Sequence, residues 1–267
     1  MTRTGLLIAL GLSAAAALIF AVFPGLDLGL ARLFFDAETA RFPLKYNAAA
    51  ELVRNAAMWI SWGIATPSIA ALGFKLMRPD RPLLVKGRTM VFLLVTLILT
   101  AGIFSNGIFK TYWGRPRPAS VTEFSGPWAY KNWWQAGGDC PRNCSFFSGE
   151  AATAFWTYAP ATLAPPQWRP LAYAGVTVFG LLTGLLRMTF GGHFLSDVLA
   201  AGLATFLTIW VAHWLIYCWS RTRTSDEAID AALTRFAWPG YALVCRLVGR
   251  PVGAQPGSAE RPPQPLG

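Results

Sequence analysis

Two of the segments that could do chemistry in this chain carry groups suited to binding an anion. Lys110 and Arg117 flank a turn that contains glycine and proline, and such a turn could aim both cations at one ligand. Ser148 and Gly149 stand before an apolar run, where the first turn of a helix would offer free N–H groups. Each pattern also has an ordinary structural explanation, since cations flank many membrane helices and serine is a common helix cap. Neither pattern alone establishes a site.

The third segment runs from Arg187 to Asp197 and contains a His–Asp pair at helical spacing. His193 and Asp197 are four positions apart, so on a helix they would share a face and the carboxylate could accept the Nδ1 proton. Nε2 would then be unprotonated and able to act as a nucleophile or a base. Arg187 adds a further cation. A polar pair packed between helices would also explain this segment, but ionisable residues in membrane segments are costly to bury and usually functional.

The composition indicates that these segments belong to an integral membrane protein. Hydrophobic residues make up 54% of the chain and charged residues 13%, which is far from the range of soluble globular proteins. A net charge of +10 would suggest nucleic-acid binding in a soluble protein, but beside long apolar runs it suits an anionic lipid surface. The 12 tryptophans are typical of interfacial aromatic belts. We therefore expect the lipid bilayer, and no nucleic acid, as a partner.

Six apolar runs could form helices that cross about 30 Å of hydrocarbon. They are residues 5–23, 57–74, 90–109, 151–163, 171–186 and 198–219, of which the fourth and fifth are short. The first run is longer than the apolar part of a signal peptide, which favours a retained helix. The sequence therefore predicts an all-α polytopic membrane protein in which residues 1–220 form a domain of six transmembrane helices.

The remainder of the chain changes character twice. Residues 221–250 could form one or two amphipathic helices, interrupted at Pro239-Gly240, that lie on the cytoplasmic surface of the membrane. Residues 251–267 are rich in Pro, Gly, Ser and Gln and predict a disordered tail. A basic cluster in the short second loop favours cytoplasmic termini and places the three segments described above on the outer side. This cluster consists of Lys75, Arg78, Arg81, Lys86 and Arg88.

Taken in order, the three segments resemble the signature of the type 2 phosphatidic acid phosphatase superfamily, whose membrane members are six-helix lipid phosphatases. The matching residues are Lys110, Arg117 and Pro118 in the first motif, Ser148 and Gly149 in the second, and Arg187, His193 and Asp197 in the third. The motifs occur in the family's order, and the third has its full spacing. The match lies in residues 110–197, and the first two helices and the tail agree only in layout.

The resemblance implies a mechanism in which two side chains of the third motif act at phosphorus. His193 would attack and Asp197 would stabilise the developing imidazolium, giving a phospho-histidine that water hydrolyses. Cations and backbone N–H groups would bind the phosphate oxygens. These phosphate-binding residues are Lys110, Arg117, Ser148, Gly149 and Arg187. We expect no cofactor and no metal, because His193 and His213 are the only histidines and few acidic residues lie near these segments.

The second motif departs from the family pattern at two positions. Phe147 stands where the family usually has proline, and Glu150 stands where it has the histidine that is taken to protonate the departing alkoxide. Glu150 could be this catalytic acid only if a poorly solvated site raised its pKa, and the three nearby cations would oppose that change. Otherwise another group supplies the acid, or the protein is catalytically silent. Upstream of this motif, Cys140 and Cys144 could form a short disulfide in an oxidising compartment.

We therefore expect an enzyme that removes phosphate from a phosphorylated membrane lipid at the outer, periplasmic face of a bacterial cytoplasmic membrane. The altered second motif resembles bacterial members that act on lipid A or related phospholipids. Undecaprenyl diphosphate and phosphatidylglycerol phosphate have the same anionic head and apolar tail and stay open as substrates. A silent lipid-phosphate-binding protein or a lipid transporter would also use such a basic pocket, and the sequence identifies no protein partner.

Overall fold

The computed structural model describes residues 3–219 and 225–256, and in these ranges the chain forms helices and loops without a β-strand. The helices are α1 (Arg3–Val22), α2 (Gly25–Arg32), α3 (Ala48–Met77), α4 (Gly87–Tyr112), α5 (Gly149–Phe155), α6 (Tyr158–Thr162), α7 (Arg169–Thr189), α8 (Leu195–Cys218) and α9 (Asp226–Leu247). The second half of α4, Ile98–Phe109, is π-helical. The predicted all-α class is confirmed.

Five of these helices, α1, α3, α4, α7 and α8, are long and apolar enough to cross a membrane. The prediction of six spanning helices is not confirmed, because the fourth apolar run forms the short helices α5 and α6. Between them, the N–H of Thr157 donates to Ala154 O and the N–H of Ala159 donates to Trp156 O. Both bonds span three residues, as in a 3-10 helix, and not the four of an α-helix. Pro160 lacks the N–H that would continue the ladder to Trp156, which accounts for the interruption.

The pair α5 and α6 runs antiparallel to α7 along its length. Tyr158 Oη lies 2.5 Å from Thr177 Oγ1, and Arg169 Nε donates to Ala164 O at 2.7 Å. At the other end, a Cβ on Gly180 would come within 2.2 Å of the Phe155 ring. The absence of a side chain at Gly180 therefore lets α7 approach α5 closely, as small residues do at membrane helix contacts.

α5 is enclosed by other helices. It packs against α7, α8 and the π-helical part of α4, and the residues from 151 to 157 are buried. The surrounding cluster of apolar side chains consists of Phe146, Phe147, Phe155, Met188 and Val198, with Ala151, Ala152 and Ala201. This packing fixes the start of α5 beside the end of α7 and the start of α8, where the candidate site lies.

A second apolar cluster holds the loops at the same end of the helices. It consists of Ala31, Phe42, Val121, Phe124 and Phe194. The rings of Phe35, Phe42 and Phe124 pack in tilted and edge-on contacts at centroid distances of 5.1 to 5.6 Å. These contacts tie α2 and the loop after α4 to the residue that precedes α8.

The chain divides into two compact units, and the candidate site residues all belong to the one formed by Met1–Ile64 and Val95–Trp214. In the other unit, Ala65–Leu94 with Leu215–Gly267, the buried Lys75 ammonium lies 3.0 Å from the Asp230 carboxylate of α9. The backbone N–H of Arg88 donates to Asp226 Oδ1 at 2.8 Å. These bonds attach the start of α9 to the loop between α3 and α4.

α9 is one continuous helix, with Pro239 inside it, so the interruption that the Pro–Gly pair suggested is absent. Phe236, Leu243 and Leu247 are exposed at positions that share one side of this helix. Its location on the cytoplasmic membrane surface stays a prediction. Residues 251–256 of the predicted tail form no helix, and residues 257–267 lie outside the described part of the chain.

Candidate active site

His193 lies in the turn between α7 and α8, outside either helix. The residue after it, Phe194, is extended (φ −85°, ψ 164°) and caps α8, so the predicted helical spacing of His193 and Asp197 is not realised. His193 Nδ1 lies 2.7 Å from the carbonyl oxygen of Ser145, and 3.8 Å from Asp197 Oδ2. The predicted hydrogen bond to Asp197 is therefore replaced by one to Ser145, and the carboxylate acts on the ring only through its charge.

This contact determines which nitrogen of His193 is free to react. A carbonyl oxygen only accepts hydrogen bonds, so Nδ1 carries the proton and Nε2 keeps its lone pair. The His193 side chain is 2% exposed, and burial lowers its pKa to about 4 even though Asp197 opposes that shift. The imidazole is therefore neutral near pH 7. Its state is that of a nucleophile or base.

Asp197 is held by groups other than His193. Oδ2 accepts hydrogen bonds from Ser145 Oγ at 2.5 Å and from the Phe194 N–H at 2.9 Å. Oδ1 accepts from Arg115 Nη1. Arg115 in turn donates to Asp27 Oδ2 at 2.8 Å, and both of these side chains are fully buried. Burial alone would lower the pKa of Arg115, but Asp197 and Asp27 outweigh it and raise that pKa.

Arg115, Asp27 and Ser145 are parts of this site that the sequence reading did not single out. Arg115 lies inside the first basic motif, two residues before Arg117. In that motif, only Lys110 and Arg117 were considered as candidate cations. Asp27 is an acidic residue in the otherwise apolar stretch that continues from the first span, and this was a usable signal. Ser145 contributes its carbonyl oxygen, for which no sequence signal exists.

Lys110 lies against the start of α5, as the phosphate-site prediction requires. A Cβ on Gly149 would be 3.0 Å from Lys110 Nζ and 2.9 Å from Ser105 Oγ, so the ammonium group occupies the space beside this glycine. Ser148 caps α5, with its Oγ accepting from the Ala151 N–H at 3.3 Å. The remaining N–H groups of the first turn have no partner within the helix. The Lys110 ammonium group and the N-terminus of α5 therefore lie side by side.

The two predicted arginines add positive charge to the same site. A Cβ on Gly192 would lie 2.8 Å from Arg187 Nη2, which puts that guanidinium beside the histidine's neighbour in the chain. Arg117 is held by Asn143, with Nη2 2.6 Å from Oδ1 and Nε 3.0 Å from the carbonyl. Burial lowers the pKa of Arg117, whose guanidinium stays protonated at neutral pH. The charges of Lys110 and Arg117 both act on His193.

Glu150 does not have the environment that a catalytic acid needs. Its carboxylate accepts two hydrogen bonds from Arg54, with Nε 2.9 Å from Oε2 and Nη2 2.8 Å from Oε1. Burial alone would raise the pKa of Glu150, but the bond to Arg54 and the charge of Arg187 outweigh it and lower that pKa. The pKa of Glu150 is therefore lowered and not raised, which does not favour its role as general acid, and that role stays a prediction. Arg54, on α3, is a further residue that the sequence reading missed.

A disulfide joins Cys140 to Cys144 in the loop that precedes α5. At its C-terminal cysteine, backbone bonds attach this loop to the end of α4 and the residues that follow. Cys144 N donates to Lys110 O at 3.2 Å, and Ser145 N donates to Arg115 O at 2.8 Å. The disulfide thus lies next to the residue whose carbonyl orients His193.

A neutral buried histidine, a fixed carboxylate and several cations beside a helix N-terminus form a site that is suited to phosphoric-ester hydrolysis. The model of the PAP2 superfamily matches residues 89–223. The chain belongs to the PAP2 superfamily and is a membrane lipid phosphatase.

Two named relatives match most of the chain. It is 30% identical over 218 residues to a lipid A 4'-phosphatase of Francisella tularensis subsp. novicida (strain U112), which covers 81% of this chain and 98% of the relative. It is 29% identical over 201 residues to a lipid A 4'-phosphatase of Rhizobium leguminosarum, covering 71% and 86% of the two chains. No solved structure is significantly similar. These similarities and the apolar helices indicate a bacterial multi-pass membrane protein.

Proposed function

We propose that this lipid phosphatase removes a phosphate group from lipid A or a closely related phosphorylated lipid at the periplasmic face of the cytoplasmic membrane. The observation that carries the proposed chemistry is the 2.7 Å contact of His193 Nδ1 with the Ser145 carbonyl. It leaves Nε2 as the one basic atom of a buried imidazole among cations. The names of the relatives support lipid A as the substrate class.

In the proposed reaction, His193 Nε2 attacks phosphorus in line with the ester bond. The N–P bond forms as the P–O bond breaks, and the departing oxygen takes a proton from the hydroxyl of the phosphate monoanion or from water. The phosphorylated ring carries positive charge, which the Asp197 carboxylate, 3.8 Å from Nδ1, stabilises. Water then attacks phosphorus, the N–P bond breaks, and inorganic phosphate and neutral His193 are regenerated.

Charge on the transferred phosphoryl group is balanced by the surrounding cations. Lys110, Arg117 and Arg187 would contact its oxygens together with the N–H groups at the start of α5. Because Asn143 holds Arg117 and Ser148 caps α5 before substrate arrives, these donors need little reorganisation at the moment of reaction. The site is thus suited to a phosphate monoester or diphosphate at the end of an apolar anchor.

The periplasmic location is supported by the basic loop between α3 and α4 and by the course of the chain. Lys110 at the end of α4, Ser148 at the start of α5 and Arg187 near the end of α7 all belong to one site. The chain must therefore return to that side after α5 and α6. We propose the domain division of the sequence prediction as well, with residues 1–220 as the phosphatase domain, 221–250 as a cytoplasmic surface segment and 251–267 as a tail.

Phosphate release by the purified protein in detergent tests this proposal. We expect release from lipid A, with undecaprenyl diphosphate and phosphatidylglycerol phosphate as competing substrates in the same assay and His193→Ala as the inactive control. A preference for either competitor of more than about tenfold in kcat/KM, which corresponds to roughly 1.4 kcal/mol, would reject lipid A as the substrate class. Equal release by His193→Ala would reject the nucleophile.

A further inference from the structure

Arg54 connects a helix that carries none of the family motifs to the candidate site. It lies in the second turn of α3 and meets Glu150 across 96 residues of sequence. The two hydrogen bonds, at 2.9 and 2.8 Å, use Nε and Nη2 of the guanidinium and both carboxylate oxygens of Glu150. The side chains are only 30% and 20% exposed, so solvent screens this contact less than it would a surface ion pair.

Glu150 also faces a second guanidinium. Its Oε1 lies 3.5 Å from Arg187 Nε, which is buried and has no hydrogen-bond partner in the described part of the chain. Arg54, Glu150 and Arg187 therefore form a line of cation, carboxylate and cation. The carboxylate faces the Nε edge of Arg187, while Nη2 of Arg187 lies beside Gly192, next to the nucleophile.

The arrangement has a clear electrostatic consequence. Two guanidinium groups repel each other, and each has several rotatable bonds that allow it to turn away. A carboxylate between them offsets the repulsion and holds both side chains in one orientation. A carboxylate that is itself bound by two charge-assisted hydrogen bonds has no proton to give.

We infer that Arg54 and Glu150 are a positioning pair, in which Arg54 holds the Glu150 carboxylate and that carboxylate fixes Arg187 beside the transferred phosphate. This inference rests on the proposed function, because it takes Arg187 as a phosphate ligand. It assigns Glu150 a role different from that of the histidine at the same motif position in the family. It also adds Arg54, from outside the motifs, to the residues on which turnover depends.

Substrates whose leaving groups differ in acidity can show whether Glu150 positions Arg187 or donates a proton. Nitrophenolate departs from p-nitrophenyl phosphate without protonation, whereas the alkoxide of an alkyl phosphate needs a proton. If Glu150 positions Arg187, Glu150→Gln lowers kcat/KM by the same factor, roughly 10- to 100-fold, for both substrates. If Glu150 is the acid, the loss is large for the alkyl ester and small for the aryl ester, and the inference is overturned.

The partnership is tested by combining substitutions. Arg54→Ala should lower kcat/KM by a factor similar to that of Glu150→Gln, and the double variant should be no worse than the poorer single variant, because both act through one contact. Arg54→Lys should recover part of the activity. Glu38→Gln is the matched control, since Glu38 is an exposed carboxylate outside the site, and it should leave kcat/KM unchanged. Additive losses for Arg54→Ala and Glu150→Gln, or full activity in Arg54→Ala, would reject the pair.

Failure of this inference can be told apart from failure of the proposed function. If the wild type hydrolyses the aryl phosphate but not lipid A, the substrate proposal fails and the pair is still tested on the aryl ester. If the wild type releases no phosphate at all, binding of orthovanadate to wild type and Glu150→Gln decides, since it needs no turnover. Equal vanadate affinity in both would then overturn the positioning role. Elution as a monodisperse protein in detergent establishes that each variant is folded.

Discussion

His193 Nδ1 lies 2.7 Å from the backbone carbonyl of Ser145, and the nearest oxygen of Asp197 is 3.8 Å away. A main-chain atom therefore selects the tautomer of the proposed nucleophile. Asp197 is left to stabilise charge, and its own position is determined by Ser145 Oγ and by the buried Arg115. Orientation and charge stabilisation are thus supplied by different groups in this site.

The burial of His193 predicts an unusual pH dependence. Because its pKa is lowered to about 4, the imidazole is neutral and nucleophilic at every pH above that value and loses its lone pair only below it. We expect the acidic limb of kcat/KM against pH, which reports the free enzyme, to have its midpoint near 4, in place of the 6.5 of an ordinary histidine. Two aryl phosphates of different acidity should be compared, since an inflection that belongs to the enzyme is the same for both. A midpoint near that ordinary value with both substrates would contradict the buried, neutral state.

Substitutions at Asp197 and Ser145 should lower kcat by different factors. Asp197→Asn removes the charge that stabilises the phosphorylated ring and should lower kcat by roughly 10²- to 10³-fold. Ser145→Ala keeps the carbonyl that orients His193 and removes only the hydroxyl bond to Asp197, so we expect a loss of about tenfold. Single-turnover phosphate release measures both. A Ser145→Ala loss as large as that of Asp197→Asn would show that the hydroxyl, and not the carbonyl, is the important group.

Arg115 should be important for stability as well as activity. It is completely buried between Asp27 and Asp197, and Arg115→Met would leave two carboxylates buried without their cation. We expect the free energy of unfolding to fall by about 3–5 kcal/mol. The comparison is with Arg142→Met, at an exposed position of the nearby loop, for which a change within about 0.5 kcal/mol is expected. Similar unfolding curves in detergent for the two variants would contradict the structural role of Arg115.

The membrane orientation predicts which introduced cysteines react with an impermeant maleimide. With Cys218 and Cys245 replaced by serine, Cys140 and Cys144 are paired and do not react. Glu123→Cys, in the loop after α4, should be labelled in intact spheroplasts. Ala254→Cys, after α9, should be labelled only once the membrane is permeabilised. The reverse pattern would place the site in the cytoplasm and overturn the proposed periplasmic face.

The sequence by itself determined the membrane class, the long spans and the three segments that carry the proposed chemistry. Hydropathy is a local property, so runs such as residues 5–23 and 198–219 are visible without any knowledge of their neighbours. The motif residues are likewise recognisable by type and spacing. Four motif residues come together because each lies at or near an end of a helix, and helix ends on the same side of a membrane can be neighbours. They are Lys110, Arg117, Arg187 and His193.

Only the tertiary structure decided how these residues are held. The partner of His193 is a main-chain carbonyl, and every residue has one, so residue type could not identify it. The partner of Glu150 is 96 residues away on α3, where an arginine among apolar residues looks like any other charged helix end. Asp27 likewise reaches Arg115 over 88 residues. The pKa of Glu150 is the balance of burial and neighbouring charge, and that balance exists only once the helices have packed.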